Sequence, residues 1–254
     1  MPSRDSYPDG APCWADLTTA DLQTAKDFYG PVLGWQFEDR GTDYGHYTMC
    51  LSNGKPVAAL MPPPEDGEGM PTMWNVYFST SDLAAVYRKI APAGGEPVLA
   101  PHEVPREGRM AFAFDPAGAS FGLWQPGGHP GARLFGEPGA PCWHELNTPE
   151  GETADAFYRA LFPYTQEQVG DGGEFDYTAW TVPGADSPVC GRYRTELALP
   201  YWSVYYAVAD ADAAASMVQE RGGRLVRDPF DSPHGRMVPC TDSVGARTTL
   251  CQLP

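Results

Sequence analysis

The second half of this chain repeats the first, and that constrains the fold more than any other feature. Ala11-Pro12-Cys13-Trp14 recurs as Ala140-Pro141-Cys142-Trp143, and Phe28-Tyr29 as Phe157-Tyr158, both at an offset of 129. Tyr47-Thr48 recurs as Tyr177-Thr178 at 130, and Trp74, Tyr77 and Asp82 as Trp202, Tyr205 and Asp210 at 128. Gly94-Gly95 recurs as Gly222-Gly223, Gly108-Arg109-Met110 as Gly235-Arg236-Met237, and Asp115 with Gly118 as Asp242 with Gly245. The order is kept and the offset drifts by a few residues, as loop insertions and deletions produce. The chain therefore reads as two homologous domains, 8–126 and 140–254. The segment 127–139 between them is dense in Gly and Pro, as an exposed linker should be.

Within a repeat the pattern is β-α-β-β followed by β-α-β-β-β, an α+β class built of tandem modules. Cys13–Leu17 reads as a strand, and Thr19 or Asp21 can cap a helix running to about Gly30. Tyr47–Leu51 and Val57–Met61 flank the Asn53-Gly54 turn of a hairpin. Met73–Ser79 reads as a strand, and Ser81 can cap a helix ended by Pro92 and Gly94-Gly95. Met110–Phe114 and Ser120–Trp124 close the repeat around Asp115-Pro116-Ala117-Gly118.

Composition narrows the function. With 17 basic and 33 acidic residues the net charge is −16. A nucleic-acid partner or an anionic membrane is therefore not expected. No apolar run is long enough to span a membrane, and the N-terminus lacks the apolar stretch of a signal peptide. Six Cys without a CxxC spacing read as free thiols in a reducing cytoplasm. Phosphate-cradling loops of the GxGxxG or GxxxxGK[ST] kind are absent, so no nucleotide is implied.

Asp21-Leu22, Phe28-Tyr29, Leu33-Gly34-Trp35, Gly94-Gly95, Gly108-Arg109-Met110, Asp115-Pro116-Ala117-Gly118 and Leu123-Trp124-Gln125 carry a resemblance, echoed in the second repeat. The chain resembles the glyoxalase/bleomycin-resistance/extradiol-dioxygenase (vicinal oxygen chelate) superfamily, and within it the two-domain actinobacterial proteins labelled glyoxalase-like or hydroxylase. The resemblance spans nearly the whole chain. It implies paired βαβββ modules whose curved sheet encloses a cavity, either in each domain or between them. Metal-dependent members hold one divalent ion with His, Gln or Glu from particular strands. Those positions fall here on Trp14 and Trp143, Asn75 and Ser203, Gly122 and Thr249. Trp and Gly offer no metal donor, so no cofactor is expected. A one-residue shift of that alignment would bring His144 to a ligand position.

Strand alternation puts Asp16 on the face of Trp14 and Glu145 on the face of Trp143, with Cys13 and Cys142 opposite. Asn75 and Tyr77 share a face, as do Ser203 and Tyr205. The expected site is an aromatic-lined cavity with Trp14, Asn75, Tyr77, Trp124, Trp143, Tyr205 and Arg247 around the ligand and Asp16 or Glu145 as base. The alternative is that both Trp are core and that both carboxylates satisfy backbone donors or face solvent. His144-Glu145 begins no HExxH motif, because residue 148 is Thr, and His144 reads as a surface or interface residue. Gly118-Ala119-Ser120-Phe121-Gly122 matches GxSxG but lies in a hairpin, not in a strand–turn–helix. His102 and His234 read as loop residues, each able to serve as acid or base, and Arg109 and Arg236 as fold-supporting ion pairs or carbonyl contacts. The expected function is metal-independent binding or conversion of a small aromatic or polyketide-like molecule by a monomer or homodimer. A divalent-metal-dependent lyase or oxygenase is the alternative.

Overall fold

The computed structural model describes residues 4–64, 67, 70–196 and 199–254. The first repeat contains two modules. One comprises β1 (Pro12–Thr18), α1 (Leu22–Leu33), β2 (Gln36–Asp39), β3 (Thr48–Ser52) and β4 (Lys55–Met61). The other comprises β5 (Met73–Ser79), α2 (Leu83–Ile90), β6 (Glu96–Val104), β7 (Gly108–Phe114) and β8 (Ser120–Pro126). They form one sheet in the order β2-β3-β4-β1-β5-β8-β7-β6. The second repeat supplies β9 (Pro141–Thr148), α3 (Gly151–Leu161), β10 (Thr165–Val169), β11 (Tyr177–Thr181) and β12 (Cys190–Arg194). It continues with β13 (Tyr201–Ala207), α4 (Ala211–Glu220), β14 (Arg224–Leu225), β15 (Phe230–Ser232), β16 (Gly235–Thr241) and β17 (Arg247–Gln252). Its sheet runs β10-β11-β12-β9-β13-β17-β16-β14, with β15 beside β16. These are tandem βαβββ modules, each pair joined by an antiparallel contact, β1 with β5 and β9 with β13.

Local chemistry explains most element ends. Asp21, Asp82 and Asp210 cap α1, α2 and α4 by accepting the backbone N–H three residues on. Ser81, the expected cap of α2, instead bonds Asp9. Asn53 and Gly54 both have positive φ, as a two-residue hairpin turn requires. The expected pattern counts the strand after α2, here β6, without a range, and omits β2 and β10. All three are mostly exposed edge strands, without the apolar alternation that marks a buried one. His102, expected in a loop, lies in β6, whereas His234 sits in the turn before β16. No described helix is long and apolar enough to cross a membrane.

The two repeats share one continuous core. Phe78 packs on Phe162 and Trp202, and Trp35 on Tyr206, all across the repeat boundary. The space between the repeats is thus filled by aromatic rings, and the expected cavity between domains is packed core. Each Gly-Gly motif is a socket for the other repeat. A Cβ on Gly95 would lie 2.7 Å from Phe157, and one on Gly223 would lie 2.7 Å from Phe28. The linker is not the exposed tether expected from its composition. Gly131, Ala132 and Leu134 are buried, Ala132 donates its N–H to Cys13 and Arg133 donates its N–H to Pro56.

Candidate functional site

In both repeats the face of the sheet turned away from the shared core carries the same set of side chains. In the first repeat the Trp14 indole donates to the Tyr47 hydroxyl at 2.7 Å, and Tyr47 donates to Asp16 at 3.0 Å. Tyr77 donates to the same carboxyl oxygen at 2.8 Å, and the Asn75 amide to the other at 2.9 Å. In the second repeat Trp143 donates to Tyr177 at 2.8 Å, and Tyr205 and Asn147 donate to Glu145 at 2.8 and 3.3 Å. The Tyr177 hydroxyl also lies near enough to Glu145 to pull its carboxyl down. The sequence reading brought Trp, carboxylate and the β5 or β13 tyrosine together. It missed Tyr47 and Tyr177, although the repeat had singled both out.

The carboxyls differ from ordinary ones. Burial pushes Asp16 up to about 6 against the opposing pull of Asn75, Tyr77 and Tyr47. Burial likewise pushes Glu145 up to about 7 against Tyr205, Asn147 and Tyr177. A carboxyl poised near neutrality can both take and give a proton.

Backbone irregularity places two more side chains here. Register shifts between Pro12 and Trp14 in β1, and opposite Tyr205 and Tyr206 in β9, are bulges at Cys13 and Cys142. Cys13 therefore packs in one cluster with Trp14 and Tyr77, correcting the expectation from strict alternation that it faces the other way. The glycine at a predicted metal position also has a steric reason. A Cβ on Gly122 would lie 2.3 Å from the Tyr77 ring, which lies across β8.

The two faces are not equally open. Trp14, Asp16, Tyr77 and Trp124 are 5%, 2%, 4% and 7% exposed. Tyr7, Ala11 and Ala132 are buried in the same cluster, and Tyr7 donates to the Ala132 carbonyl at 2.6 Å. The His129 ring stands edge-on to Trp14 at 4.4 Å, and its carbonyl accepts the Trp124 indole N–H. The first face is thus filled by the chain itself. Trp143, Glu145, Tyr177 and Tyr205 are all half-buried. Arg247 lies exposed at the start of β17, its guanidinium 5.1 Å from the Tyr201 ring and outside the Trp143–Glu145 set. Two open grooves lie elsewhere, of about 400 Å³ beside Gly94 and the Phe114–Gly118 turn, and of about 310 Å³ beside Glu152 and Arg159. Neither is lined by a tryptophan.

His144 departs from expectation. It is 2% exposed, neither ring nitrogen has a partner, and it stacks on Phe135. Its strand partner Val204 belongs to the main core, so His144 faces away from Glu145 and a one-residue shift into the site does not occur. Burial holds it down to about 3. Ser120 opens β8 with its hydroxyl unpartnered, in hairpin context throughout. Arg109 pairs with Glu103, and Arg236 with Asp212 and Asp231.

The metal-dependent version of this fold can be tested on its donors. Each face offers one carboxylate among phenols, an indole and an amide. Among the described residues no group of three His, Cys, Asp or Glu side chains comes together that could hold a metal ion. The donor set does not fit a divalent metal.

A model of the Glyoxalase/Bleomycin resistance protein/Dioxygenase superfamily matches residues 13–123. "Putative glyoxylase CFP32" of Mycobacterium bovis is 38% identical over 250 residues, 97% of this chain and 96% of its own. The chain belongs to this superfamily. "Anthracycline biosynthesis protein DauV" of Streptomyces sp. strain C5 is 36% identical over 262 residues, covering 96% and 94% of the two chains. Among solved structures, the Mn(II)-bound glyoxalase from Novosphingobium aromaticivorans aligns with 98% of this chain and 83% of its own at a TM-score of 0.68 and 16% identity. That likeness is one of fold.

Proposed function

We propose that this superfamily member binds a small aromatic, polyketide-like molecule against a sheet face lined by tryptophan, tyrosine and one carboxyl, without a catalytic metal. The repeated Trp–Tyr–carboxyl–Tyr set carries this reading. It offers flat apolar area, phenolic hydrogen bonds and one proton-transfer group, the equipment for an oxygenated aromatic. The poor fit of the donors to a metal supports the same reading, as does 36% identity to an anthracycline biosynthesis protein. Bound there, a phenol or enol meets a carboxyl held near neutrality. Glu145, on the half-open face, can then accept its proton and return one, so a metal-free isomerisation or cyclisation is within reach and sequestration is its limiting case. A cytoplasmic setting accords with six free thiols.

The test uses chain purified without an affinity tag. Metal content is measured, and binding of 1,8-dihydroxyanthraquinone is titrated before and after dialysis against a chelator. Saturable binding that survives chelation is expected. A stoichiometric divalent metal whose removal abolishes binding would overturn the reading in favour of a metal-dependent lyase or oxygenase.

A further inference from the structure

The repeat supplies an internal comparison, because the same face appears once filled and once half-open. In the first repeat the filling group is the neutral His129 imidazole, whose pKa burial lowers to about 4. It stands edge-on to Trp14 at 4.4 Å and near Trp124 at 5.8 Å. Its Nε2 is buried without a partner. In the second repeat no described aromatic ring packs on Trp143. The position matching Trp124 is the much smaller Cys251. The ring that covers Trp14 from β8 in the first repeat thus has only a thiol as its counterpart on β17, and Trp143 is half-buried where Trp14 is buried.

We propose that the face of the second sheet takes an uncharged planar aromatic ring edge-on to Trp143, in the place that His129 occupies against Trp14, and that the first face is closed to ligand by His129. The inference rests on the aromatic-binding reading above and adds which face works and how the ring is held. An edge-on ring on an indole is a favoured aromatic geometry, since the positive ring edge meets the negative indole face. An uncharged ligand is selected because the neighbouring group is a carboxyl and the whole chain carries a net charge of −16. A hydroxyl or carbonyl on that ring can reach Glu145, Tyr177 and Tyr205, which gather beside Trp143. The half-buried state of all four side chains gives the ring its entry.

The experiment titrates the full chain, ¹⁵N-labelled at its seven tryptophan indoles, with 1,8-dihydroxyanthraquinone. One equivalent is expected to move the Trp143 indole signal and leave Trp14 and Trp124 in place. Trp143→Ala is expected to weaken binding at least tenfold, and His129→Ala to admit a second equivalent that moves the Trp14 signal. Movement of Trp14 in place of Trp143 in the unaltered chain overturns the choice of face and leaves the aromatic-binding reading standing. A His129→Ala chain that still takes one equivalent overturns the role given to His129. If the unaltered chain shows no saturable binding, the aromatic-binding reading falls, and this inference with it.

Discussion

The Trp143 indole donates to the Tyr177 hydroxyl, as Trp14 donates to Tyr47; Tyr47 passes a hydrogen bond on to Asp16, and Tyr177 stands beside Glu145 and pulls its carboxyl down. An indole N–H can only donate, so it fixes the phenol as acceptor on one side and frees its proton for the carboxyl on the other. The carboxyl is thereby oriented while burial keeps it protonated to unusually high pH. Burial raises the proton affinity of the carboxyl and the orienting phenols lower it, so the two act against each other.

Tyr205→Phe tests that opposition. Its hydroxyl donates to Glu145 and favours the ionised form, so its loss raises the carboxyl further. A hydrogen bond to a charged group exceeds a neutral one by about 1 kcal/mol, which corresponds to roughly 0.7 of a pKa unit. Carboxyl ¹³C titration is expected to move the Glu145 midpoint from about 7 to higher pH. An unmoved midpoint would mean that the phenol does not bond the ionised carboxylate.

His144 makes stability depend on pH. Its folded pKa of about 3 lies below its ordinary value of 6.5, so between those values the unfolded chain binds the extra proton. Stability therefore rises with pH across this window and is lost as pH falls below 6.5. Asp16 and Glu145, raised to about 6 and about 7, act in the opposite sense as pH rises through their own windows. His144→Leu removes the first dependence and two unpartnered buried nitrogens. Urea unfolding is expected to show it more stable than the parent by about 1–3 kcal/mol at pH 7, and by roughly 2 kcal/mol more at pH 5. A gain that does not grow at pH 5 would show that the imidazole is not held neutral.

The repeat, the module order and the pairing of Trp14 with Asp16 were legible because repetition and strand alternation are properties of the chain itself. The inward turn of Cys13 was not, because a bulge is one extra residue that leaves no mark in composition. The closure by His129 was hidden for another reason. A Gly- and Pro-rich segment reads as a tether, and its burial depends on a sheet face assembled from residues far away in sequence. Arg192 also escaped notice. It is 2% exposed on β12, and its partner carboxylates come from α3 and the loop before β11.

Arg192→Ala is expected to destabilise the second repeat strongly. Arg192 bonds Asp155 through Nε and Nη2 at 3.0 and 2.8 Å, and Asp176 through Nη1. Asp155 also accepts from Trp180 and Thr178, so it is fixed and cannot swing to solvent. Truncation leaves Asp155 without its cation and Asp176 with only the more distant Arg194 at 3.9 Å, a loss of about 3–5 kcal/mol. Chemical denaturation measures this, and a change below about 1 kcal/mol would show the pair to be solvated.

The joint between the repeats is held by two buried phenol–carboxylate bonds. Trp74 donates to Tyr29 at 3.1 Å, and Tyr29 donates to Asp242 of the other repeat at 2.8 Å. Trp202 donates to Tyr158 at 2.9 Å, and Tyr158 donates to Asp115 at 3.4 Å. The indole–phenol–carboxylate series of the candidate site is therefore used again, but here both ends are locked in core. Asp242 also accepts from the backbone of Val244 and Ala246 in the turn before β17. Tyr29→Phe removes one hydroxyl from a buried carboxylate and leaves the Trp74 N–H unpaired. A loss of about 2–3 kcal/mol is expected, with probe binding unchanged because the face of Trp143 lies on the far side of its sheet. Tyr158→Phe should cost less, since its bond to Asp115 is the longer of the two. Equal losses would show that the length of the phenol–carboxylate bond does not set its worth, and a fall in probe binding with either variant would show that the joint and the candidate site are coupled.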